Sequence, residues 1–423
     1  MPLLQHRKRG LNLSAFQSRN YRLFFLGQGL SMTGTFMTQI ATVWIIYDLT
    51  HSALLLGITG FLGQLPTFLL APFSGVLADR WNRHRLLILI QLLGLVNSAL
   101  LTLLNYSNHL SPIALILLST VAGLMRGLDV PVRQAFVIEM VDRREDLTSA
   151  IALNSALINA ARLVGPAIAG VLIAAVGAGS CFLLDTLSYG VVIAALMLMQ
   201  VKEQRSQEGQ SANMWQRLRE GWNYAYHFLP IRSLLLLLAT MSLLGMSYLT
   251  LLPIVAVDIL GGGSETLGFL TAASGVGALT AAIYLSSRHT VVGLVRLIAC
   301  CPALLGVSLI VFSQSRILWF SLLLMGVAGF SSILQAASTN TVIQTIVDDS
   351  KRGRVMSFYA MSFMGMAPFG HLLLGSLASL IGTPNTLILG GCCCVISSLI
   401  FAKQLPHLRQ IVYPIYVNLG ILS

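Results

Sequence analysis

Long apolar runs recur along the whole chain at nearly even intervals, near residues 21–47, 53–76, 86–106, 111–134, 147–176, 180–201, 231–257, 265–286, 290–313, 316–340, 353–381 and 384–403. Each is long enough to cross the hydrocarbon of a bilayer, where the backbone must satisfy its own amides and an isolated segment has only the helix open to it. The pattern predicts an all-α membrane protein of twelve transmembrane helices. Of the 423 residues, 56% are AVILMFWYC and only 10% are charged, too few charges to clothe a soluble surface. Soluble enzymes, nucleic-acid binders and disulfide scaffolds are excluded on that ground. The six cysteines lie in apolar runs without metal-ligand spacing, and the eight histidines are scattered. No Gly-rich phosphate loop or Ser/His/Asp set is present, so neither ATP hydrolysis nor other enzyme chemistry, and no cofactor or metal, is expected.

The cations orient the spans, because Lys and Arg near span ends collect on the cytoplasmic side. With the N-terminus inside, 24 of the 26 Lys and Arg fall in cytoplasmic segments or adjoining helix ends, leaving Arg316 outside and Arg162 in mid-span. Both termini are therefore expected in the cytoplasm. The net charge of +11 reads as a belt against anionic lipid rather than a nucleic-acid footprint. Residues 1–20, basic and without the apolar core of a cleaved signal, are expected to form an N-terminal tail, 21–201 a six-helix bundle, 231–404 a second bundle and 405–423 a C-terminal tail. Between the bundles, 202–230 is polar. Its second half sets Trp215, Leu218, Trp222, Ala225 and Tyr226 at helical spacing opposite Arg217 and Glu220, the pattern of an amphipathic helix on the membrane surface.

The two halves repeat. At an offset of 205, Val137-Ile138 meets Val342-Ile343, Arg83-His84 meets Arg288-His289, and Gly165, Gly170 and Gly177 meet Gly370, Gly375 and Gly382. Two six-helix bundles repeated in parallel are a transporter architecture, with the substrate site between them near mid-membrane.

Two motifs narrow the family. Between the second and third runs stands Gly75-Val-Leu-Ala-Asp79-Arg80-Trp-Asn82-Arg83-His84-Arg85. Its small residue permits close helix approach, its carboxylate suits a neighbouring helix N-terminus, and its arginines can pair with carboxylates. In the fifth run, Ala161-Arg162-Leu-Val-Gly165-Pro166-Ala-Ile-Ala169-Gly170 spaces small residues around a proline that removes a backbone donor and is expected to kink the helix. The first resembles the G-x-L-A-D-R-x-G-R-K signature of the major facilitator superfamily, with Asn82 for the second glycine and His84 for the lysine; asparagine is the residue next best suited to a left-handed turn there. The second is similar to the superfamily's antiporter motif, G-x-x-x-G-P-x-x-G-G, with Ala161 and Ala169 at two glycine positions. The resemblance extends over nearly the whole chain to the branch of the macrolide efflux proteins and the enterobactin exporter. It is carried by Arg126-Gly127-Leu-Asp129-Val-Pro131-Val-Arg133-Gln134-Ala135-Phe136, Arg144-Glu145-Asp146-Leu147, Ala152-Leu-Asn154-Ser155 and Asn159-Ala-Ala-Arg162. It implies a monomeric protein of the bacterial inner membrane that exports amphipathic compounds against a proton influx, and a gate on the cytoplasmic side made by Gly75, Asp79, Arg80 and Arg83. The matching loop of the second half has Arg288-His289 but no Asp, so this gate is expected to be one-sided.

Ionisable residues inside a membrane are rare and mark sites by default. At 1.5 Å per residue, Arg162 lies roughly 21 Å and Asp129 roughly 27 Å from the outer face. The depths predict a switchable Asp129–Arg162 pair that couples transport to protons, with Arg126 or Arg133 as alternative, structural partners of Asp129. Asp185, roughly 8 Å deep, and Arg126 are further buried-charge candidates for proton coupling, with a solvated position near the outer mouth as the alternative for Asp185, and Asp48 and Asp258 are expected to be surface carboxylates. A substrate cavity is expected from Gln39, Trp44, Gln64, Asn154 and Asn159 in the first half. The second half adds Met241, Met246, Gln335, Thr339, Asn340, Tyr359, Met361 and Met364, the amides orienting a ligand and the methionines adapting to its shape. Two other functions stay open: a lysophospholipid flippase, in which Arg162 would hold a phosphate, and a non-transporting receptor or assembly subunit.

Overall fold

A computed structural model describes residues 14–141, 143–200, 223–288, 290–348, 351–418 and 420; for 71–80, 138, 144, 148 and 418 it describes the backbone alone. The expected N-terminal tail up to residue 13 and the linker helix up to Trp222 lie outside the described residues, as do the side chains of Gly75, Asp79 and Arg80.

Twelve long helices follow the twelve apolar runs: α1 Arg19–Thr50, α2 Ala53–Arg80, α3 Arg83–Tyr106, α4 Pro112–Met140, α5 Leu147–Val176, α6 Gly179–Met197, α7 Leu229–Ile259, α8 Ser264–Ser287, α9 Leu294–Gln314, α10 Leu318–Ile346, α11 Arg352–Ile381 and α12 Thr383–Asn418. Among the described residues, eleven are long and apolar enough to cross a membrane. The twelfth, α1, is diluted by Arg19, Arg22 and a series of Ser, Thr and Gln, yet it packs along α5 and α6 as a full member of the bundle.

Local chemistry sets the helix ends. Ser111 precedes Pro112 and accepts the Ala114 amide at 3.2 Å, capping α4. Asn82 accepts the Arg85 amide at 3.0 Å and caps α3 with φ −63° and ψ 112°. The left-handed turn expected of Asn82 is thus corrected: the position is extended, because its task is to cap the next helix. Gly177 ends α5 and Gly382 ends α11 at φ 88° and φ 83°, a left-handed geometry that suits glycine, and the two are repeat partners. The helix α5 runs through Pro166 as one element. By contrast α7 and α11 widen into π-turns at Met241–Met246, Val255–Ile259 and Met361–Gly365. The last helix continues past residue 405, so the expected tail stays helical and Leu408, Val412 and Tyr416 pack into the second half.

One end of the molecule carries Ser18, Tyr21, Met140, Ala150 and, in the second half, Ser233 and Gln404, joined by hydrogen bonds from Ser18 to the Met140 carbonyl, Tyr21 to the Ala150 carbonyl and Ser233 to Gln404. At this terminal end the apolar core is in two parts, Tyr21, Phe24, Leu86 and Phe136 in the first half and Ile231, Leu234, Ile343 and Val355 in the second. At the opposite, distal end one core runs through both halves, from Ile46, Leu56 and Phe182 to Leu251, Leu270 and Leu374. Among the described residues, one apolar core spans both halves at the distal end, whereas at the terminal end each half has a core of its own.

Candidate functional site between the halves

Two seams join the halves. In one, α5 crosses α8: a Cβ on Gly170 would stand 2.8 Å from both the Gly268 Cα and the Ser264 carbonyl oxygen, and the Ser264 hydroxyl donates to the Gly170 carbonyl at 3.2 Å. In the other, α2 crosses α11: a Cβ on Gly57 would stand 2.7 Å from the His371 carbonyl oxygen and 2.9 Å from the Gly375 Cα. Gly375 is Gly170 displaced by 205 residues and Gly268 is Gly57 displaced by 211, so the seams are two copies of one contact. Backbone meets backbone in both, as small residues allow in membranes.

Exposure falls along the faces that border these seams. On α5, Gly165 meets α1, while Leu163 and Gly170 meet α8. Between those faces, at helical spacing, Ile151 and Ser155 are exposed, Asn159 and Arg162 half-buried, and Pro166, Ala169 and Ile173 buried. Across the other seam Gln64, Met361 and Met364 are exposed whereas Gly57, His371 and Gly375 are buried. Among the described residues, exposure on these faces rises toward the terminal end, while the distal end is closed by the shared core.

The predicted Asp129–Arg162 pair does not form. Arg133, one turn on, donates to Asp129 Oδ2 at 3.1 Å, and Gln91 of α3 donates to Oδ1 at 3.0 Å. The reason is packing: α4 lies mainly on α2 and α3, and α5 on α1 and α8, so the two side chains do not face each other. Arg162 makes no hydrogen bond or ion pair among the described residues. Arg126 donates to the Gly63 carbonyl of α2 at 3.0 Å. Asp185 is 3% exposed, which corrects the solvated position expected near the mouth. Its Oδ2 accepts from Thr38 of α1 at 2.9 Å and Ser98 of α3 at 3.2 Å, and its Oδ1 has no hydrogen-bond partner among the described residues. Gly34 lets α1 reach it, since a Cβ there would stand 2.8 Å from Oδ1. Gly34 and Thr38 lie well inside α1, so Asp185 sits beside the middle of that helix, enclosed by α1 and α3.

The remaining expected residues divide. Gln39 is half-buried, and Trp44 packs against the shared distal core rather than lining an opening. Met241 belongs to that core as well, while Met246 is half-buried. Gln335 and Thr339 are sealed inside the second half, with no partner among the described residues for either Gln335 amide atom or the Thr339 hydroxyl; they do not line the opening in this state. Asn154 Oδ1 has no hydrogen-bond partner among the described residues, and Asn159 donates to the Ser155 carbonyl at 2.9 Å. Tyr359 donates to the Ala336 carbonyl at 3.0 Å, and Gln344 to Asn340 at 2.5 Å. Asp48 and Asp258 are exposed, Asp258 accepting the Tyr47 hydroxyl at 2.5 Å. Arg83 of the loop motif donates to Glu139 of α4 at 2.9 Å.

The family model for transmembrane secretion effectors, MFS_3, matches residues 11–411. The chain belongs to that family. This transporter of the major facilitator superfamily is 29% identical over 384 residues to the staphyloferrin A transporter of Staphylococcus aureus, covering 90% of this chain and 95% of that protein. It is 23% identical to macrolide efflux protein A of Streptococcus pyogenes, over 88% and 93% of the two chains, and 26% identical to the enterobactin exporter EntS of Shigella flexneri, over 88% of each. Its fold matches a POT family transporter solved with 5-aminolevulinic acid at TM-score 0.73 and 12% identity, covering 92% of this chain and 97% of that one. It also matches the nucleoside transporter NupG at TM-score 0.71 and 10% identity, covering 91% and 99%. It is a multi-pass membrane protein and not an enzyme.

Four features of this transporter escaped the sequence reading. Gln91 and Glu139 are common polar residues whose importance lies in what they touch, and His371 is one of eight histidines. Gly57 and Gly268 carried a usable signal, a second repeat offset of 211 beside the 205 found in α5 and α11.

Proposed function

We propose that this transporter is a proton-driven exporter of amphipathic small molecules, working by alternating access as a monomer in the bacterial inner membrane and standing here open to the cytoplasm. The observation that carries the reading is the fall in exposure toward two glycine seams at the distal end, where the halves share one core. The cation count supports the cytoplasmic assignment of the open end. Glycine seams interlock few side chains, so they can part and re-form while each half moves as a rigid body.

The relatives are named for staphyloferrin A, macrolides and enterobactin, and the substrates proposed are siderophores or drugs of that kind. Arg162, a guanidinium in the middle of α5, is assigned the anionic or strongly accepting group of the substrate, with Asn159 one turn before it on the same face. With Asp129 held by Arg133, the proton role falls to Asp185, a buried carboxylate with one oxygen unpartnered among the described residues. Gly75, Asp79, Arg80 and Arg83 are assigned the closure of the cytoplasmic side in the outward-open state.

Uptake into inverted vesicles with an acidic lumen tests this, using staphyloferrin A, enterobactin and a macrolide as the panel. Gradient-driven accumulation of at least one is expected, and Asp185→Asn is expected to lose accumulation while keeping substrate exchange. Accumulation of none overturns the substrate class; full gradient-driven accumulation by Asp185→Asn overturns the proton assignment.

A further inference from the structure

We infer that His371 is a proton-sensitive latch of the α2–α11 seam, a role that rests on the alternating-access reading above. The twin seam supplies the control. Subtracting the repeat offset of 205 from His371 gives Pro166, whose carbonyl oxygen would lie 2.8 Å from a Cβ on Gly268, just as the His371 carbonyl oxygen would lie 2.7 Å from a Cβ on Gly57. The backbone contact therefore needs no polar side chain at this position, since a proline serves in the other copy.

The imidazole adds a bridge that the twin lacks. Its Nδ1 is 2.5 Å from the Thr250 hydroxyl in its own half, and its Nε2 is 2.9 Å from the Gln64 amide nitrogen of the other half. With Gln64 donating to Nε2, the neutral ring carries its proton on Nδ1 and donates to Thr250, so both nitrogens are satisfied. A protonated ring has two donors and no acceptor. Gln64 could turn its oxygen toward Nε2, but the added charge would stay uncompensated. Neither α2 up to Leu70, nor 241–251 of α7, nor 367–381 of α11, nor 383–402 of α12 contains an Asp, Glu, Lys or Arg. The titratable groups packed there are Tyr248, hydrogen-bonded with Ser274 at 3.0 Å, and Cys394, against Gly245. Of the carboxylates at this end, Asp48 and Asp258 are exposed, Asp258 taking the Tyr47 hydroxyl, and half-buried Glu265 accepts the Gly263 amide at 3.1 Å. A buried cation without a counter-charge is costly, and here parting the seam relieves it by admitting water.

The test places spin labels on Leu54→Cys and Leu380→Cys, both exposed at the distal ends of α2 and α11, in a background without the six native cysteines and reconstituted in lipid nanodiscs. Pulsed electron paramagnetic resonance then reads the open-to-closed ratio of the seam from pH 8 to pH 5. The ratio is expected to rise on acidification, by at most about tenfold per pH unit for one linked proton, and to be flat in His371→Gln and His371→Asn. No change in the protein with His371, or the same pH response in both variants, overturns the latch. If neither variant accumulates, the series with His371 decides. Substrate exchange by the same preparations separates the two readings: exchange with a pH-flat seam overturns the latch alone, whereas a pH-responsive seam in a protein that exchanges none of the panel overturns transport and leaves the latch standing.

Discussion

Replacing Gly170 with alanine puts a methyl group into the α5–α8 seam, where only 2.8 Å separates its position from the Gly268 Cα and the Ser264 carbonyl oxygen. Ordinary contact begins near 3.4 Å, so the helices must part by about 0.6 Å. Both neighbours are backbone, and no flexible side-chain tip can absorb the shift. Overpacking of this kind costs about 1–3 kcal/mol. The clash exists only while α5 and α8 touch, so the cost falls on the distally closed state and raises the open-to-closed ratio roughly 5- to 150-fold. Alanine also favours helix over glycine, by about 1 kcal/mol in either state, so the variant is expected to accumulate normally. The assay is alkylation of Ser264→Cys, a buried seam position, by an impermeant maleimide from the distal side in a background without native cysteines. Gly170→Ala is expected to accelerate labelling at least about fivefold. An unchanged rate, with Ser264→Cys still shielded, refutes the argument that these glycines hold the closed state.

Other expectations follow from the same geometry. Asp129→Asn leaves the buried Arg133 guanidinium without its anion and should lower the thermal midpoint in detergent, breaking such a pair costing about 3–5 kcal/mol; Asp129→Asn with Arg133→Gln should recover it. Arg162→Ala orphans no partner among the described residues, so its abundance should match the unmodified protein while half-saturation for substrate exchange rises; an unchanged value removes Arg162 from the site. Asp79→Asn should abolish transport at normal abundance, and normal transport by it would show the loop motif to be dispensable. Protease should reach 202–230 from the cytoplasmic side alone, and cleavage in intact cells would reverse the assigned orientation.

The order and extent of the helices were legible in the amino-acid sequence because a backbone in hydrocarbon has so few options. The run read as 147–176 is α5 residue for residue, and the repeat that aligned Gly177 with Gly382 aligned two identical helix ends. The direction in which each helix turns its side chains was not legible. A helix among lipid and other helices is apolar on nearly every side, so no polar face announces which way it turns. Asp129 and Arg162 stand on helices that pack against different neighbours, and Asp185, read as an outer-mouth residue, is enclosed by α1 and α3. His371 acquires a partner in the other half only because α2 and α11 cross at Gly57 and Gly375. Those crossings depend on which backbones come close enough to touch, a property of two segments more than 300 residues apart, and only the tertiary structure brings them together.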